Sequence, residues 1–381
     1  MRIHREASNR SDLARALRSL ANLKRHQSSF SEAAPHFEES AELALRDGQI
    51  EMAARSLCAL SLAAMDAGDL ERAQQTADTL LALDPNSIPA ELHPIVHNTV
   101  AGIRGKAGDI PAAAREYEAA LAARDRLPPN PDRSFDLAGL AWARLQLCEL
   151  DAAEAAASEG VAVLAGRDRP RDESMLRIYL AEIAAAKGSL ILADQQFDIV
   201  DTLSARSGDE WTALSARLSR ANIHVTHGHN AEVVASVTGW RDEAIRQSRP
   251  DAEIAARIIE SRALCELGMA EEAETALSHA KVLLSKQRDQ NRFYRLHLSI
   301  VDGVVQFSLG RDAEGTRLLE ESIAGARIGG LVLLELQARH ELGRSEMRAG
   351  DPAGRSRLAA LAREARFRGA LGVSSQAERD W

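Results

Sequence analysis

Apolar and small residues repeat along this chain with two periods. Over short distances they return every three or four positions, which predicts amphipathic helices. Over longer distances the segment "GDLERAQQTADTLL" that begins at Gly68 resembles "GDIPAAAREYEAAL", which begins forty residues later at Gly108. A fixed period of this size predicts an array of repeated structural units.

Three columns of residues keep this register along nearly the whole chain. The column that starts the quoted segments contains Ser28, Gly68, Gly108, Cys148, Gly188, Gly228, Gly268, Gly310 and Gly350. The column seven residues earlier contains only small residues: Ala21, Ser61, Ala101, Ala141, Ala181, Ala221, Ser261, Gly303 and Gly343. The column five residues later contains Ala33, Ala73, Ala113, Ala153, Ala193, Val233, Ala273, Gly315 and Arg355. Because the three columns agree with one another, composition alone does not explain them.

Each unit therefore reads as two helices joined at the glycine. Glycine ends the first helix where a left-handed backbone is needed, and the following Asp can accept backbone N–H bonds at the start of the second helix. The small columns allow the two helix axes to approach closely. The sequence predicts an all-α chain of helical hairpins.

This pattern resembles the tetratricopeptide repeat, with small residues at places eight and twenty of each unit and glycine at place fifteen. Ala181, Gly188 and Ala193 occupy these places in one unit. The resemblance implies a right-handed superhelical solenoid of about nine antiparallel hairpins. The step of forty exceeds the family's usual 34 and is similar to that of sensor arrays in bacterial signalling and regulatory proteins. We expect the extra residues to lengthen the second helix and its following loop.

The pattern also suggests domain boundaries. We assign residues 1–10 to an N-terminal arm, 11–370 to one continuous solenoid and 371–381 to a flexible C-terminal tail. The last units are degenerate, with Arg355 in the alanine column, as is typical of a terminal cap.

Composition agrees with an all-α repeat. Hydrophobic residues form 45% of the 381 residues but aromatic residues only 4%, which is typical of helices packed through small side chains. No apolar run approaches the roughly 20 residues that span a bilayer, and the charged N-terminus lacks the apolar core of a signal peptide. We expect no membrane association and a cytoplasmic location.

Charge and cysteine content exclude other classes of protein. The net charge of −9 argues against nucleic-acid binding, which needs Lys and Arg to neutralise phosphates. Both ends of the chain are basic and its middle is acidic. Cys58, Cys148 and Cys265 are too far apart in sequence for a zinc knuckle, so we expect them to be small buried residues.

We find no candidate catalytic or cofactor-binding motif. "HVTHGHN" places His224 and His227 one helical turn apart with His229 nearby, but no adjacent Cys, Asp or Glu completes a metal-ligand set. The chain contains no Gly-rich phosphate loop and no nucleophile motif. We therefore expect no enzymatic activity, no metal and no cofactor.

The resemblance implies that partners bind on the concave face, which is lined by the first helix of each unit. Carried over by register, the candidate groove residues are Arg18, Asn22, Arg25, Trp142, Leu145, Glu182, Asn222, Arg262, Arg344 and Arg348. Arginines near both ends and apolar residues in the middle favour a partner with an apolar centre and acidic flanks. Trp142 fits either a core position between helices or a groove anchor.

The sequence favours a scaffold or adaptor that binds a protein or peptide, in signalling or in complex assembly. One alternative is a regulatory module that senses a ligand or peptide in a pocket near Trp142 and Glu182. A second is a self-assembling module that dimerises through a terminal helix exposing Leu358, Leu361 and Ala365. The chain could act with an effector on another polypeptide or belong to a larger protein.

Overall fold

Nearly all of the described chain forms α-helices, which are joined by short turns. The computed structural model describes residues 10–27, 30–286 and 292–381, and these residues contain no strand. The first helices are α1 (Arg10–His26), α2 (Phe30–Arg46), α3 (Ile50–Asp66), α4 (Leu70–Leu81), α5 (His93–Ala107) and α6 (Ile110–Arg124). Two 3₁₀ turns, Pro85–Ser87 and Ala90–Leu92, precede α5.

The later helices continue the same alternation. They are α7 (Arg133–Gln146), α8 (Leu150–Leu164), α9 (Pro170–Ala186), α10 (Leu190–Ser207), α11 (Glu210–Thr226), α12 (Asn230–Arg246), α13 (Pro250–Glu266), α14 (Ala270–Lys286), α15 (Arg292–Ser308), α16 (Asp312–Gly329), α17 (Val332–Arg348), α18 (Ala353–Phe367) and α19 (Leu371–Arg379). The odd-numbered helices up to α17 are the first helices of successive hairpins. The prediction of an all-α helical-repeat solenoid is confirmed.

The described residues divide into two compact units rather than one continuous body. The first unit ends at Gly139 and the second begins at Leu140, so the division falls inside α7 and not at a proline-rich loop. In a repeat array each hairpin contacts mainly its neighbours, and such an array can divide without a linker.

The glycine column forms the turns within the hairpins. Its seven glycines have φ between 72° and 89°, the left-handed region that ends a helix without steric cost only for glycine. Cys148 adopts the same conformation with φ of 59° despite its side chain. Ser28 lies outside the described residues. The predicted position of the turns is confirmed.

Side chains after the turns cap the second helices as expected. The carboxylates of Asp69 and Asp109 accept the backbone N–H of Arg72 and Ala112, each at 3.1 Å. In the hairpin of α9 and α10, where the sequence has Ser189, the hydroxyl takes this role. In these three hairpins the local sequence fixes where the second helix starts, whereas Glu149, His229 and Arg311 make no side-chain cap at the same place.

The small columns lie where paired helices approach most closely. Ala101, Ala181 and Ala193 are completely buried. A Cβ placed on Gly303 would lie 2.6 Å from Leu319 Cγ, so only glycine fits there. The three cysteines are also buried, as predicted.

The long repeat comes from both helices of a hairpin. Helices α11 and α12 each span 17 residues and are joined by a three-residue turn, so two helices and two turns account for a period of forty. We expected the second helix and its loop to absorb the extra length, and this expectation is wrong for these hairpins.

The C-terminal tail is not a flexible tail. Residues Leu371–Arg379 form α19, and Val373 and Ala377 are buried. These side chains pack because the left-handed Gly369 turns the chain back onto the preceding helix. The proposed N-terminal arm lies almost wholly outside the described residues.

The apolar residues assigned to a self-assembly surface lie in the core. Leu358 and Ala365 are fully buried and Leu361 is 1% exposed. These side chains cannot form a dimer interface unless α18 leaves the fold. The prediction that they form a self-assembly surface is therefore wrong.

A larger side chain at a position of the small columns tests whether the helices approach closely there. Ala181→Leu adds branched volume at a fully buried contact, and we expect it to lower the free energy of unfolding by about 1–3 kcal/mol in urea denaturation. The matched variant Ala155→Leu adds the same volume at an exposed position of α8 and should leave stability nearly unchanged. Equal stability of the two variants would contradict the assigned register.

Candidate functional site: a cavity among the first helices

A cavity lies in the second unit, where first helices of several hairpins face one another. It has a volume of about 130 Å³ and is lined by α7, α9, α11, α13, α15, α17 and α19. Its polar lining residues are Gln146, Glu182, Ser219, Asn222, Thr226, His227, Arg262, His297, Gln337, His340, Glu341 and Gln376. Its apolar wall includes Leu145, Ile223, Leu333 and Val373.

A second cavity of about 220 Å³ adjoins the first. The two share Glu182, Ser219, Asn222, Phe293 and His297. The second cavity continues along apolar side chains of α13, including Ala255, Ile258 and Ile259. At its end Arg249 pairs with Asp251 at 3.2 Å, and both residues line the cavity. Together the cavities form an elongated site with polar groups at its centre.

Glu182 is the central acidic group and carries no ion pair within the described part of the chain. The Ser219 hydroxyl donates a hydrogen bond to its carboxylate at 2.6 Å. Burial raises the pKa of Glu182 above its ordinary value, and the Ser219 hydrogen bond opposes this only in part. The site therefore contains a carboxylate whose negative charge the protein compensates poorly.

Glu341, on the opposite side of the same cavity, is fully compensated. It is 2% exposed, it accepts hydrogen bonds from Arg262 and Arg344, and the Arg344 bond measures 2.6 Å. Although burial alone would raise the pKa of Glu341, Arg344 and Arg262 hold it well below its usual range. This carboxylate stays ionised and needs no further cation.

The compensating network continues away from the cavity. Arg344 also contacts Glu266 at 2.5 Å, and Arg348 contacts the other oxygen of Glu266 at 3.1 Å. These pairs join α13 to α17, which belong to non-adjacent hairpins. The network thus fixes one wall of the cavity.

His297 supplies a neutral polar group. Burial, together with the nearby charge of Arg262, lowers the pKa of His297 to about 4, so its ring is uncharged at pH 7. Its Nδ1 is buried and has no hydrogen-bond partner among the described residues. A buried polar atom of this kind costs free energy unless a ligand or water satisfies it.

The structure brings together four of the predicted groove residues. Leu145, Glu182, Asn222 and Arg262 line the first cavity. Trp142 is half-buried on α7 and is not among the residues that line it. Arg18, Asn22 and Arg25 lie on α1 in the first unit.

The charge around Arg344 and Arg348 differs from the charge that the sequence predicts for this end of the groove. They were predicted to form a cationic end that attracts acidic flanks of a partner. Glu266 and Glu341 neutralise them instead, and the Arg344 side chain is only 13% exposed. This end of the groove therefore offers less unpaired positive charge than the sequence predicts, and the acidic flank of a partner stays a prediction.

The sequence analysis did not identify several residues that line the cavities. His297 occupies place two of its unit, a groove position in the register, and could have been found from that signal. Ser219 lies at place six, which the register does not assign to the groove. Val373 and Gln376 belong to α19, which sequence reasoning assigned to the tail.

The histidines considered as metal ligands form local contacts. His224 Nε2 lies 2.9 Å from Asp194, and His227 Nδ1 lies 2.9 Å from the carbonyl oxygen of Ile223. In residues 10–27, 30–286 and 292–381, no group of three or more His, Cys, Asp and Glu side chains is arranged to hold a metal ion. Nor does any helix in these ranges combine the length and apolar character needed to cross a membrane.

Solved structures share the hairpin array. A Rap protein complexed with Competence and Sporulation Factor matches with a TM-score of 0.70 and 10% identity, over 94% of this chain and 99% of that chain. The apo form of RapI matches with a TM-score of 0.54 and 9% identity, over 96% and 98%. The chain has a tetratricopeptide-like helical-repeat fold.

A tetratricopeptide repeat protein from Parabacteroides merdae also matches, with a TM-score of 0.44 and 12% identity, over 74% of this chain and 98% of that chain. Neither a protein-family model nor a curated protein matches this sequence. At these identities the likeness concerns the helical-repeat fold.

Proposed function

We propose that this helical-repeat protein binds a short peptide segment in the two adjoining cavities, with a positively charged group of the peptide at Glu182. Of the hypotheses raised by the sequence, this is the ligand-sensing one. The observation that carries it is the carboxylate of Glu182, which belongs to a half-buried side chain, lines both cavities and accepts a hydrogen bond from Ser219.

A half-buried carboxylate without a cation costs free energy, because the loss of hydrating water is not repaid by an ion pair. The same protein shows the alternative at Glu341, where two arginines provide full compensation. An ammonium or guanidinium group of a ligand would give Glu182 the partner that Glu341 already has. Glu182 is thus suited to select a cationic ligand.

The rest of the lining suits a peptide. The side-chain amides of Gln146, Asn222, Gln337 and Gln376 each offer both a donor and an acceptor, as the peptide backbone does. Ile258 and Ile259 offer apolar contacts for a side chain. Volumes of about 130 and 220 Å³ accommodate a segment of a few residues and no folded domain.

The similarity of fold to the Rap protein supports a ligand-binding role. That protein is complexed with Competence and Sporulation Factor, so a solenoid of closely similar fold and length holds a ligand. For the present chain, the ligand chemistry is inferred from its own cavity.

Pools of short synthetic peptides test this proposal. One pool contains Lys or Arg at a fixed position, and a matched pool contains Gln there. A ligand that binds only the folded state raises the free energy of unfolding, by about 2.7 kcal/mol when its concentration is a hundred times Kd. The unfolding midpoint rises accordingly. We expect the cationic pools to raise the midpoint of the full chain and the Gln pools to raise it less.

A matched pair of variants makes the result specific. Glu182→Gln should abolish the difference between the pools, whereas Glu272→Gln, at an exposed position of α14, should retain it. Equal stabilisation by both pools, or an unchanged response of Glu182→Gln, would refute the assignment of the ligand's cationic group.

A further inference from the structure

Helix α19 contacts α9, although about 185 residues separate them in sequence. A Cβ placed on Gly372 would lie 2.5 Å from the carbonyl oxygen of Ala185, so the two backbones are in direct contact. A Cβ placed on Gly188 would likewise lie 3.3 Å from the backbone nitrogen of Gly372. We name this contact, formed by Ala185, Ala186, Gly188, Leu371 and Gly372, the seam.

The seam differs from the other helix contacts in the second unit. Successive helices are tied by turns of a few residues, and α13 and α17 are tied by buried ion pairs. At the seam the closest atoms are main-chain atoms and small apolar groups. Such a contact depends on van der Waals attraction between closely fitting surfaces. This attraction is lost when the two helices move apart by a short distance.

Polar contacts hold α19 to its own neighbours in sequence. The Ser374 hydroxyl donates to the carbonyl oxygen of Ala362 on α18 at 3.0 Å, and His340 of α17 lies 2.8 Å from Asp380. Arg366 of α18 pairs with Glu378. If the helices from α9 to α19 separate anywhere, α19 is expected to leave α9 and stay with α17 and α18.

The seam is also a wall of the ligand cavity. Ala185 and Ala186 line it from α9, and Gly372, Val373 and Gln376 line it from α19. In a solenoid, small rotations between adjacent hairpins accumulate along the array. A small change of pitch over the hairpins from α9 to α18 would therefore separate α19 from α9 and widen the cavity.

We propose that the seam is a latch. It opens and closes as the pitch of the solenoid changes, and α19 moves as one body with α17 and α18. Opening changes the width of the cavity and exposes the end of α9 together with the start of α19. The latch thus couples the state of the cavity to a surface outside it.

Spin-label distances in the ligand-free full chain test the latch. One pair of labels, at Ile191→Cys and Ser375→Cys, spans the seam from two exposed positions. The control pair, at Arg363→Cys and Ser375→Cys, reports on α18 and α19 alone. Cys58 and Cys265 are buried, which favours labelling of the introduced cysteines, and Cys148→Ser in the spin-labelled chains removes the thiol that an open seam would expose.

Gly372→Ala should shift the equilibrium toward the open seam, because its methyl group would clash with the Ala185 carbonyl oxygen. We expect the long-distance fraction of the pair across the seam to rise about fivefold or more. The control pair should keep one narrow distance. Gly239→Ala adds a methyl group to a helical glycine with open space around it and should change neither pair.

A native thiol provides a second measurement. Cys148 lines a space with Arg368, Gly369 and Leu371 beside the seam, and burial raises the pKa of its thiol to about 11. Its reaction with a disulfide reagent should accelerate about fivefold or more in Gly372→Ala, while Cys58 and Cys265 stay protected.

Two results would overturn the latch. In the first, Gly372→Ala leaves the distance across the seam and the Cys148 rate unchanged, so the contact does not open. In the second, the control pair broadens together with the pair across the seam, so α19 frays as a chain end. Because no ligand is used, failure of the latch leaves the peptide proposal standing, and failure of the peptide proposal leaves the latch standing.

Discussion

Glu182→Gln should weaken binding of a cationic peptide by about 30-fold or more. Removing one member of a buried charge pair costs 2 kcal/mol or more, and 1.4 kcal/mol corresponds to a factor of ten in Kd. Glutamine keeps the size of the side chain and can still accept the Ser219 hydrogen bond. The loss in affinity would therefore report on charge, and isothermal titration with a peptide selected from the cationic pools would measure it.

The same variant should be more stable than the wild type at neutral pH. Burial raises the folded-state pKa of Glu182 above its ordinary value near 4.5, so the folded state binds the proton more tightly than the unfolded state does. The wild type then loses stability as pH rises from about 4.5 through the folded-state pKa. Glutamine has no such dependence, so its advantage should be small at pH 4 and larger at pH 8.

The combination of weaker binding and higher stability distinguishes a binding residue from a structural one. If Glu182 only supported the fold, Glu182→Gln would lower the unfolding midpoint at pH 8. A site that keeps an uncompensated charge for a ligand has the opposite signature. Glu272→Gln, on the exposed face of α14, should show neither effect.

Local rules explain why so much of the fold could be predicted from the sequence. The glycine column marks turns because a left-handed residue is needed there, and the Asp that follows marks a helix start because its carboxylate can cap. Both signals lie within a few residues of the structure they determine. The register also placed Glu182, Asn222 and Arg262 on equivalent faces of successive first helices, and the structure shows them around one cavity.

Features that depend on distant residues could not be predicted in the same way. Arg344 was assigned correctly to a first helix, but its charge is neutralised by Glu266, which lies 78 residues away. Helix α19 offers few apolar residues of its own, and it packs mainly on the preceding helix α18 and also on the distant helices α9 and α17. Periodicity reports on one helix face and cannot show which distant face will cover it.

Arg344→Ala should destabilise the protein more than any other substitution considered. The guanidinium contacts Glu341 and Glu266, whose side chains are 2% and 11% exposed. Its removal leaves each of these poorly solvated carboxylates with one arginine, Arg262 or Arg348, in place of two. Breaking a buried ion pair from one side costs about 3–5 kcal/mol. Urea denaturation at pH 7 should show a loss of this size in the free energy of unfolding.

The matched control is Arg348→Ala, because Arg348 contacts the same Glu266 from the surface. Its side chain is 56% exposed, and exposed pairs contribute about 0–1 kcal/mol. The difference in stability between the two variants should become smaller in acid. The folded-state pKa of Glu341 lies below its ordinary value near 4.5. The stability that Arg344 provides is therefore present above pH 4.5 and is lost as the pH falls below it. Equal losses for Arg344→Ala and Arg348→Ala at pH 7 would show that burial does not strengthen this network. A loss for Arg344→Ala that is the same at pH 7 and pH 3 would show that packing of the side chain, and not its charge, holds α13 to α17.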